Sequence, residues 1–168
     1  MNVLILGKGY IGNHLEKHLK VTVDSGKYNI HFVSKKDLHY GNSEELYQYC
    51  LNNEIETVVN TSGFTGSPNV DGCEENKEDC FYYNVKVPCI IEQVCKSLDI
   101  QFIHIGSGCI YEGYEKDYTE EETPNFGVFQ HHSSFYSKTK HISELMLDTN
   151  FTNIIRIRMP IEQKHTPK

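Results

Sequence analysis

The chain has 168 residues, 38% of them hydrophobic and 23% charged, with a formal net charge of −7 at neutral pH. That length suggests one domain able to withdraw roughly 70% of its unfolded surface from water. The acidic balance argues against a nucleic-acid or membrane surface as the main partner, so an anionic ligand must be held by local features.

The chain opens Val3-Leu4-Ile5-Leu6, a short apolar run that reads as a buried strand, followed by Gly7-Lys8-Gly9-Tyr10-Ile11-Gly12 and a helix with Ile11, Leu15 and Leu19 on one side. Residues 29–33 read as a second strand, Ser43 as the cap of a helix through Cys50, and residues 57–60 as a third strand. A long helix is predicted from Glu74 to Leu98, because Val87, Ile90, Ile91, Val94 and Leu98 fall on one stripe. Pro88 inside it predicts a kink or a break into two helices. Residues 102–105 form a fourth predicted strand, residues 134–148 a helix and residues 153–157 a fifth strand. The stretch from Glu112 to Ser133 has little apolar periodicity and exceeds the ~12–15 residues beyond which a structureless loop is usually functional or disordered. It is expected to be an active-site loop.

Strands alternating with helices imply parallel pairing with right-handed crossovers, a doubly wound α/β sheet. No segment approaches the ~20 apolar residues of a membrane span, and the N-terminus lacks the features of a secretory leader. Six scattered cysteines without zinc-ligand spacing, and nine histidines without a cluster, predict a reduced, cytoplasmic protein with no metal site. His131-His132 is expected to face solvent.

Two constellations carry chemistry. Gly7, Gly9 and Gly12 follow a strand and open a helix, where the backbone can approach a pyrophosphate and the helix N-terminus meets its charge; the glycines could also serve the turn alone. The second strand ends in Ser34-Lys35-Lys36, with Asp37 one step on, in place of the carboxylate that would hold the ribose hydroxyls of NAD. Cations there suit a 2′-phosphate and favour NADPH, with NADH as the alternative; the lysines could equally be a solvated pair. Gly63, after the third strand, suits a backbone approach to the cofactor. The second constellation is Ser107 with Tyr136 and Lys140. The latter two stand at i and i+4 on one helix face, and Ser107 ends a strand at the edge where open α/β sheets place ligands. A lysine ammonium near the phenol is expected to lower its pKa from about 10. Tyr136 could then exchange a proton with a carbonyl or alcohol oxygen that the Ser107 hydroxyl also holds.

Further stretches follow in order: residues 65–71 (TGSPNVD), 108–112 (GCIYE), 123–126 (TPNF), 135–140 (FYSKTK) and 156–161 (RIRMPI). As a set they resemble the extended short-chain dehydrogenases/reductases. More narrowly, they are similar to the 3,5-epimerase/4-reductase half of nucleotide-rhamnose synthases and to the related GDP-fucose synthases. The resemblance implies a Rossmann-type domain over residues 1–161 and a tail over 162–168, without most of the C-terminal substrate lobe of those families. It implies that a nucleotide-4-keto-6-deoxyglucose is epimerised at C3 and C5 and reduced at C4 with NADPH to a nucleotide-L-rhamnose. Tyr136 would then be the proton donor, Lys140 the ribose-binding partner, Ser107 the carbonyl hydrogen-bonder and Cys109 an epimerisation acid/base. By residue type alone, Cys109 is as well explained as a small buried hydrophobe. Asn84 would steady the central strands and the cofactor, and Pro160 would flank the nicotinamide.

Four departures stand out: the absent lobe, a glycine loop one residue shorter than in extended members, Ser67 and Gly72 where relatives carry arginine and tryptophan, and a longer loop over 127–134. A sheet without its last elements leaves apolar surface and an edge to cover, so a homodimer or a second chain supplying the lobe is expected beside the nucleotide-sugar substrate. Two other activities stay open: a non-catalytic NADP-binding regulatory fragment, and a plain dTDP-4-dehydrorhamnose reductase or GDP-fucose-synthase-like enzyme.

Overall fold

The computed structural model describes residues 1–22, 26–113 and 117–158. Five strands, β1 (Asn2–Leu6), β2 (Asn29–Val33), β3 (Thr57–Asn60), β4 (Gln101–Ser107) and β5 (Thr152–Ile157), form one parallel sheet in the order β2-β1-β3-β4-β5. The register aligns Leu4 with Val58, Val58 with Phe102 and Phe102 with Thr152, so one face carries a row of fully buried side chains. Each such side chain contributes roughly 1.5–3 kcal/mol on burial.

The chain steps from β1 outward to β2, then reverses across β1 to β3 and continues in one direction. Right-handed crossovers therefore send α1 (Tyr10–Thr22) to one face and α2 (Ser43–Asn52), α5 (Val87–Leu98) and α6 (Phe135–Met146) to the other. The main core confirms the second layer: Leu46 and Cys50 of α2 and Val87, Ile91, Val94 and Cys95 of α5 pack against Leu4, Leu6, Val58 and Phe102. On the α1 face, Val59, Ile103 and Ile105 are only half-buried and Ile155 is exposed. The order reverses between β1 and β3, and in open α/β sheets ligands lie outside the carboxyl ends of the strands at such a point.

Two local expectations are corrected. Asn42, not Ser43, caps α2: its side-chain oxygen accepts from the Glu44 and Glu45 N–H groups. The long helix predicted from Glu74 is broken at Asn76, between a short α3 (Gly72–Glu75) and α4 (Lys77–Phe81). From Lys77 to Leu98 the helical path continues through a π-helical turn, Tyr82–Lys86, in which the Val87 N–H reaches back to the Tyr82 carbonyl. Pro88 lies just beyond, in the first turn of α5. Widening the turn before it accommodates a ring that would clash with the carbonyl four residues back. Among the described residues no helix is long and apolar enough to cross a membrane, and no group of three or more His, Cys, Asp or Glu side chains could hold a metal ion. The boundary at 161/162 lies outside the described residues.

Candidate active site

The carboxyl ends of β1, β2 and β3 open onto a cavity of about 310 Å³ lined by Gly7, Lys8, Gly9, Ser34, Lys35, Lys36, Tyr40, Thr61, Ser62, Gly63, Phe64 and Tyr83. The three loop glycines do different work there. Gly7 has φ +102° and presses on the Ser62 backbone, where any Cβ would be 2.8 Å from it. A Cβ on Gly12 would collide with the Gly7 carbonyl and the Thr61 hydroxyl, so this glycine serves close packing. A Cβ on Gly9 would meet nothing within 4 Å. The fold does not require glycine at that position, but a ligand whose phosphates approach the backbone does. Tyr10 and Ile11 do not line the cavity. They stand in the first turn of α1, the helix end whose dipole favours an anion.

Gly9→Val is therefore expected to leave the thermal midpoint nearly unchanged, as for surface substitutions within about 0.5 kcal/mol. It should nevertheless weaken binding of a dinucleotide about tenfold or more, read by fluorescence titration. Equal affinity for wild type and variant would move the ligand away from this loop.

At the end of β2 the carboxylate of Asp37 turns back. It accepts from the Ser34 N–H (2.8 Å), the Ser34 hydroxyl (2.9 Å) and the Lys8 ammonium (3.0 Å), and these contacts lower its pKa to about 2. Lys35 lies over the Tyr83 ring, 4.7 Å from its centroid.

Asn84 sits inside the π-helical turn and is fully buried. Its side chain clamps the segment after β3: Oδ1 accepts from the Phe64 N–H (2.8 Å) and Nδ2 donates to the Phe64 carbonyl (2.9 Å). The same nitrogen meets the Thr139 hydroxyl oxygen at 3.1 Å and the Cys80 sulfur at 3.3 Å. Thr139 in turn donates to the Tyr136 carbonyl at 2.8 Å. The π turn is thereby bonded to α6, the helix carrying Tyr136 and Lys140. Gly63 leaves room for both: a Cβ there would come within 3.1 Å of Asn84 Oδ1 and 3.6 Å of Lys140 Nζ. Lys140 thus stands directly behind the cavity wall.

Ser107 ends β4 and begins a short 3₁₀ turn, Gly108–Ile110, its oxygen accepting from the Cys109 N–H at 3.2 Å. The Cys109 carbonyl accepts from Ser137 of α6 at 2.8 Å. Tyr136 is buried with Cys73 and Cys80, and Phe64, Phe135 and the half-buried Cys109 pack around them. The structure therefore brings Ser107, Cys109, Tyr136 and Lys140 together with Asn84 and the glycine-loop cavity. Pro160 lies outside the described residues. His131 and His132 are exposed, and His132 Nε2 lies 3.3 Å from Glu112.

The electrostatics correct one expectation. Burial pushes the Tyr136 phenol up to about 12, opposed by the Ser107 hydroxyl, and burial pulls Lys140 down to about 8. Desolvation disfavours both charged forms and outweighs any lowering of the phenol by the lysine.

A family model for the RmlD substrate binding domain matches residues 1–161. The chain belongs to that family. Among relatives of this RmlD-domain chain, a bifunctional dTDP-4-dehydrorhamnose 3,5-epimerase/dTDP-4-dehydrorhamnose reductase of Arabidopsis thaliana is 37% identical over 118 residues, 65% of this chain and 37% of the relative. The trifunctional UDP-glucose 4,6-dehydratase/UDP-4-keto-6-deoxy-D-glucose 3,5-epimerase/UDP-4-keto-L-rhamnose-reductase RHM3 of the same plant is 38% identical over 113 residues, 62% of this chain and 16% of that protein. The crystal structure of the L780 UDP-rhamnose synthase from Acanthamoeba polyphaga mimivirus superposes with a TM-score of 0.79 at 26% identity, covering 98% of this chain and 58% of that one. The RmlD-domain chain thus spans well under two thirds of the length of each.

Sequence reasoning missed Thr139, Cys80, Lys8 and Tyr83. Each acts through a partner tens of residues away, and local spacing carries no trace of such pairings.

Proposed function

We propose that residues 1–161 form the NADPH-binding and catalytic part of a nucleotide-sugar 4-keto-reductase with 3,5-epimerase activity, acting on a nucleotide-4-keto-6-deoxyglucose to give a nucleotide-L-rhamnose. One observation carries the reading: a Cβ on the wall residue Gly63 would come within 3.1 Å of Asn84 Oδ1 and 3.6 Å of Lys140 Nζ, so a dinucleotide cradled at Gly9 would reach the Ser107–Tyr136–Cys109 cluster. The activities of the relatives named above support it.

Gly7, Gly9 and the first turn of α1 would hold the pyrophosphate, Ser34, Lys35 and Lys36 the adenosine end, and Gly63 and Lys140 the second ribose; bound NADPH supplies a hydride to C4. The neutral Tyr136 phenol is the proton donor to the C4 oxygen, which the Ser107 hydroxyl also holds. Asn84 holds the Phe64 backbone through both its N–H and its carbonyl. The Cys109 sulfur would exchange a proton with carbon next to the ketone on the face it meets, and inversion is completed on the opposite face by solvent or by a second acid/base.

The test combines NADPH oxidation at 340 nm in the presence of a nucleotide-4-keto-6-deoxyglucose with deuterium uptake from solvent at C3 and C5. Wild type is expected to do both. Cys109→Ala is expected to lose the uptake by ~10²-fold or more, the ordinary contribution of a positioned acid/base. Uptake by Cys109→Ala at the wild-type rate would rule the thiol out, absence of uptake by wild type would leave a plain reductase, and binding of NADPH without oxidation would leave a regulatory module.

A further inference from the structure

Tyr136, Lys140 and Glu144 follow one another at i, i+4 along α6, and all three are buried. A lysine and a glutamate at that spacing are within reach of each other, and an ammonium deprived of water gains most from a carboxylate. Yet among the described residues Lys140 and Glu144 form no ion pair, and the one hydrogen bond of the Lys140 ammonium goes to the Ile105 carbonyl at 3.4 Å. Arg156 of β5 accounts for this. Its Nε lies 3.2 and 2.9 Å from the two Glu144 oxygens and its Nη2 lies 2.8 Å from Oε2. Nη1 donates to the Tyr111 hydroxyl at 2.9 Å and to the Glu120 carbonyl at 3.0 Å, and the Tyr111 hydroxyl donates to the Glu122 carbonyl at 2.7 Å. The planar fork is thus fixed from both sides, and it holds the carboxylate in one orientation. Besides Glu144, the titratable groups near Lys140 are Tyr136 on its own helix, Cys80 of α4, Cys109 of the 3₁₀ turn and His104 of β4. None of these four is a carboxylate.

We propose that Arg156 is a positioning residue: by taking both oxygens of Glu144 it keeps that carboxylate from Lys140, and so leaves the ammonium's donors to the ribose of a bound dinucleotide. The proposal rests on the cofactor placement given above. An ammonium paired with Glu144 would have to give up an ion pair, in a site shut from water, before it could meet a ligand. It would also keep its proton to higher pH, because a nearby carboxylate favours the charged form. Lys140 instead lies at about 8, drawn down by burial. Its ammonium stands 3.6 Å from where a Cβ on Gly63 would lie, at the cavity wall.

The test compares wild type, Arg156→Met, Glu144→Gln, the double variant and Tyr111→Phe by NADPH fluorescence titration at pH 7. The pH dependence of NADPH oxidation with a nucleotide-4-keto-6-deoxyglucose is measured beside it. Arg156→Met is expected to weaken NADPH about tenfold, the effect of one charge-assisted contact drawn away. It should also move the alkaline fall in turnover up by about one pH unit or more, because Glu144 is released to Lys140. Adding Glu144→Gln should restore the affinity and bring the fall back to or below its wild-type position. Glu144→Gln alone should move the fall down, since Lys140 then faces Arg156 without the carboxylate. A residue that merely held the fold would lower the rate at every pH, and removing Glu144 would not restore NADPH binding. An unmoved fall in Arg156→Met, or no rescue in the double variant, overturns the proposal. So does an equal shift in Tyr111→Phe, which keeps the ion pair and loosens only the loop. Where Arg156→Met does not fold, Glu144→Gln decides, and an unmoved fall there overturns the proposal. Wild type that binds NADPH without oxidising it defeats the reductase reading, and the affinities still decide the role of Arg156. Wild type that binds no dinucleotide defeats both.

Discussion

Tyr136→Phe is expected to lower turnover of a nucleotide-4-keto sugar by ~10²–10⁴-fold while NADPH affinity stays within about twofold. The ring is packed among Cys73, Cys80, Phe64 and Phe135, and phenylalanine keeps all of that packing. What it removes is the hydroxyl beside Ser107, the group that would give its proton to the C4 oxygen. Burial holds the phenol near 12, so at neutral pH it carries the proton that a donor must have. That is the state reduction needs, and it differs from the phenolate suited to the reverse, oxidative direction. The measurement is the rate of NADPH oxidation beside a separate binding titration. Turnover at the wild-type rate would remove Tyr136 from the chemistry and leave it as core.

What could be read from the chain without coordinates was what depends on near neighbours. The glycine loop follows a strand within one residue, and the i, i+4 spacing of Tyr136 and Lys140 needs only a helix. The five strands were legible as short apolar runs because a parallel sheet covered on its faces demands them. The resemblance pointed to Asn84 as a residue that steadies the central strands, but the partners of its clamp could not be read from spacing. The clamp exists because a π turn before Pro88 rotates Asn84 inward, and its partners Phe64 and Thr139 lie 20 and 55 residues away. The Lys8–Asp37 pair spans 29 residues and was equally hidden. The sign of the Tyr136 shift failed for a different reason: the neighbouring lysine was counted and the loss of water around both groups was not.

Lys140→Met should make the protein more stable and the enzyme inactive. Lys140 is 6% exposed, and its ammonium makes one long hydrogen bond, to the Ile105 carbonyl at 3.4 Å. The nearest compensating carboxylate, Glu144, is committed to Arg156 through contacts of 2.8–3.2 Å. Burial therefore draws the lysine from 10.5 to about 8, a difference that corresponds to about 3 kcal/mol. Because the folded pKa lies below the unfolded one, the unfolded chain binds more protons between pH 8 and 10.5, and wild-type stability rises with pH across that window. Below pH 8 the cost is present in full. Methionine, similar in length and uncharged, should thus raise the unfolding free energy by about 3 kcal/mol at pH 7, with the advantage shrinking as pH rises through 8 towards 10.5. Denaturant melts of both proteins at pH 7 and pH 10 read this directly. An advantage that persists unchanged at pH 10 would mean that packing, not charge, sets it. A buried ammonium that costs stability in the free protein is retained where a ligand offsets the cost, so NADPH should stabilise wild type more than Lys140→Met. Lys140→Arg separates the two contributions: it keeps a cation at all accessible pH and should abolish the decline in turnover expected of wild type above about pH 8, where Lys140 loses its proton.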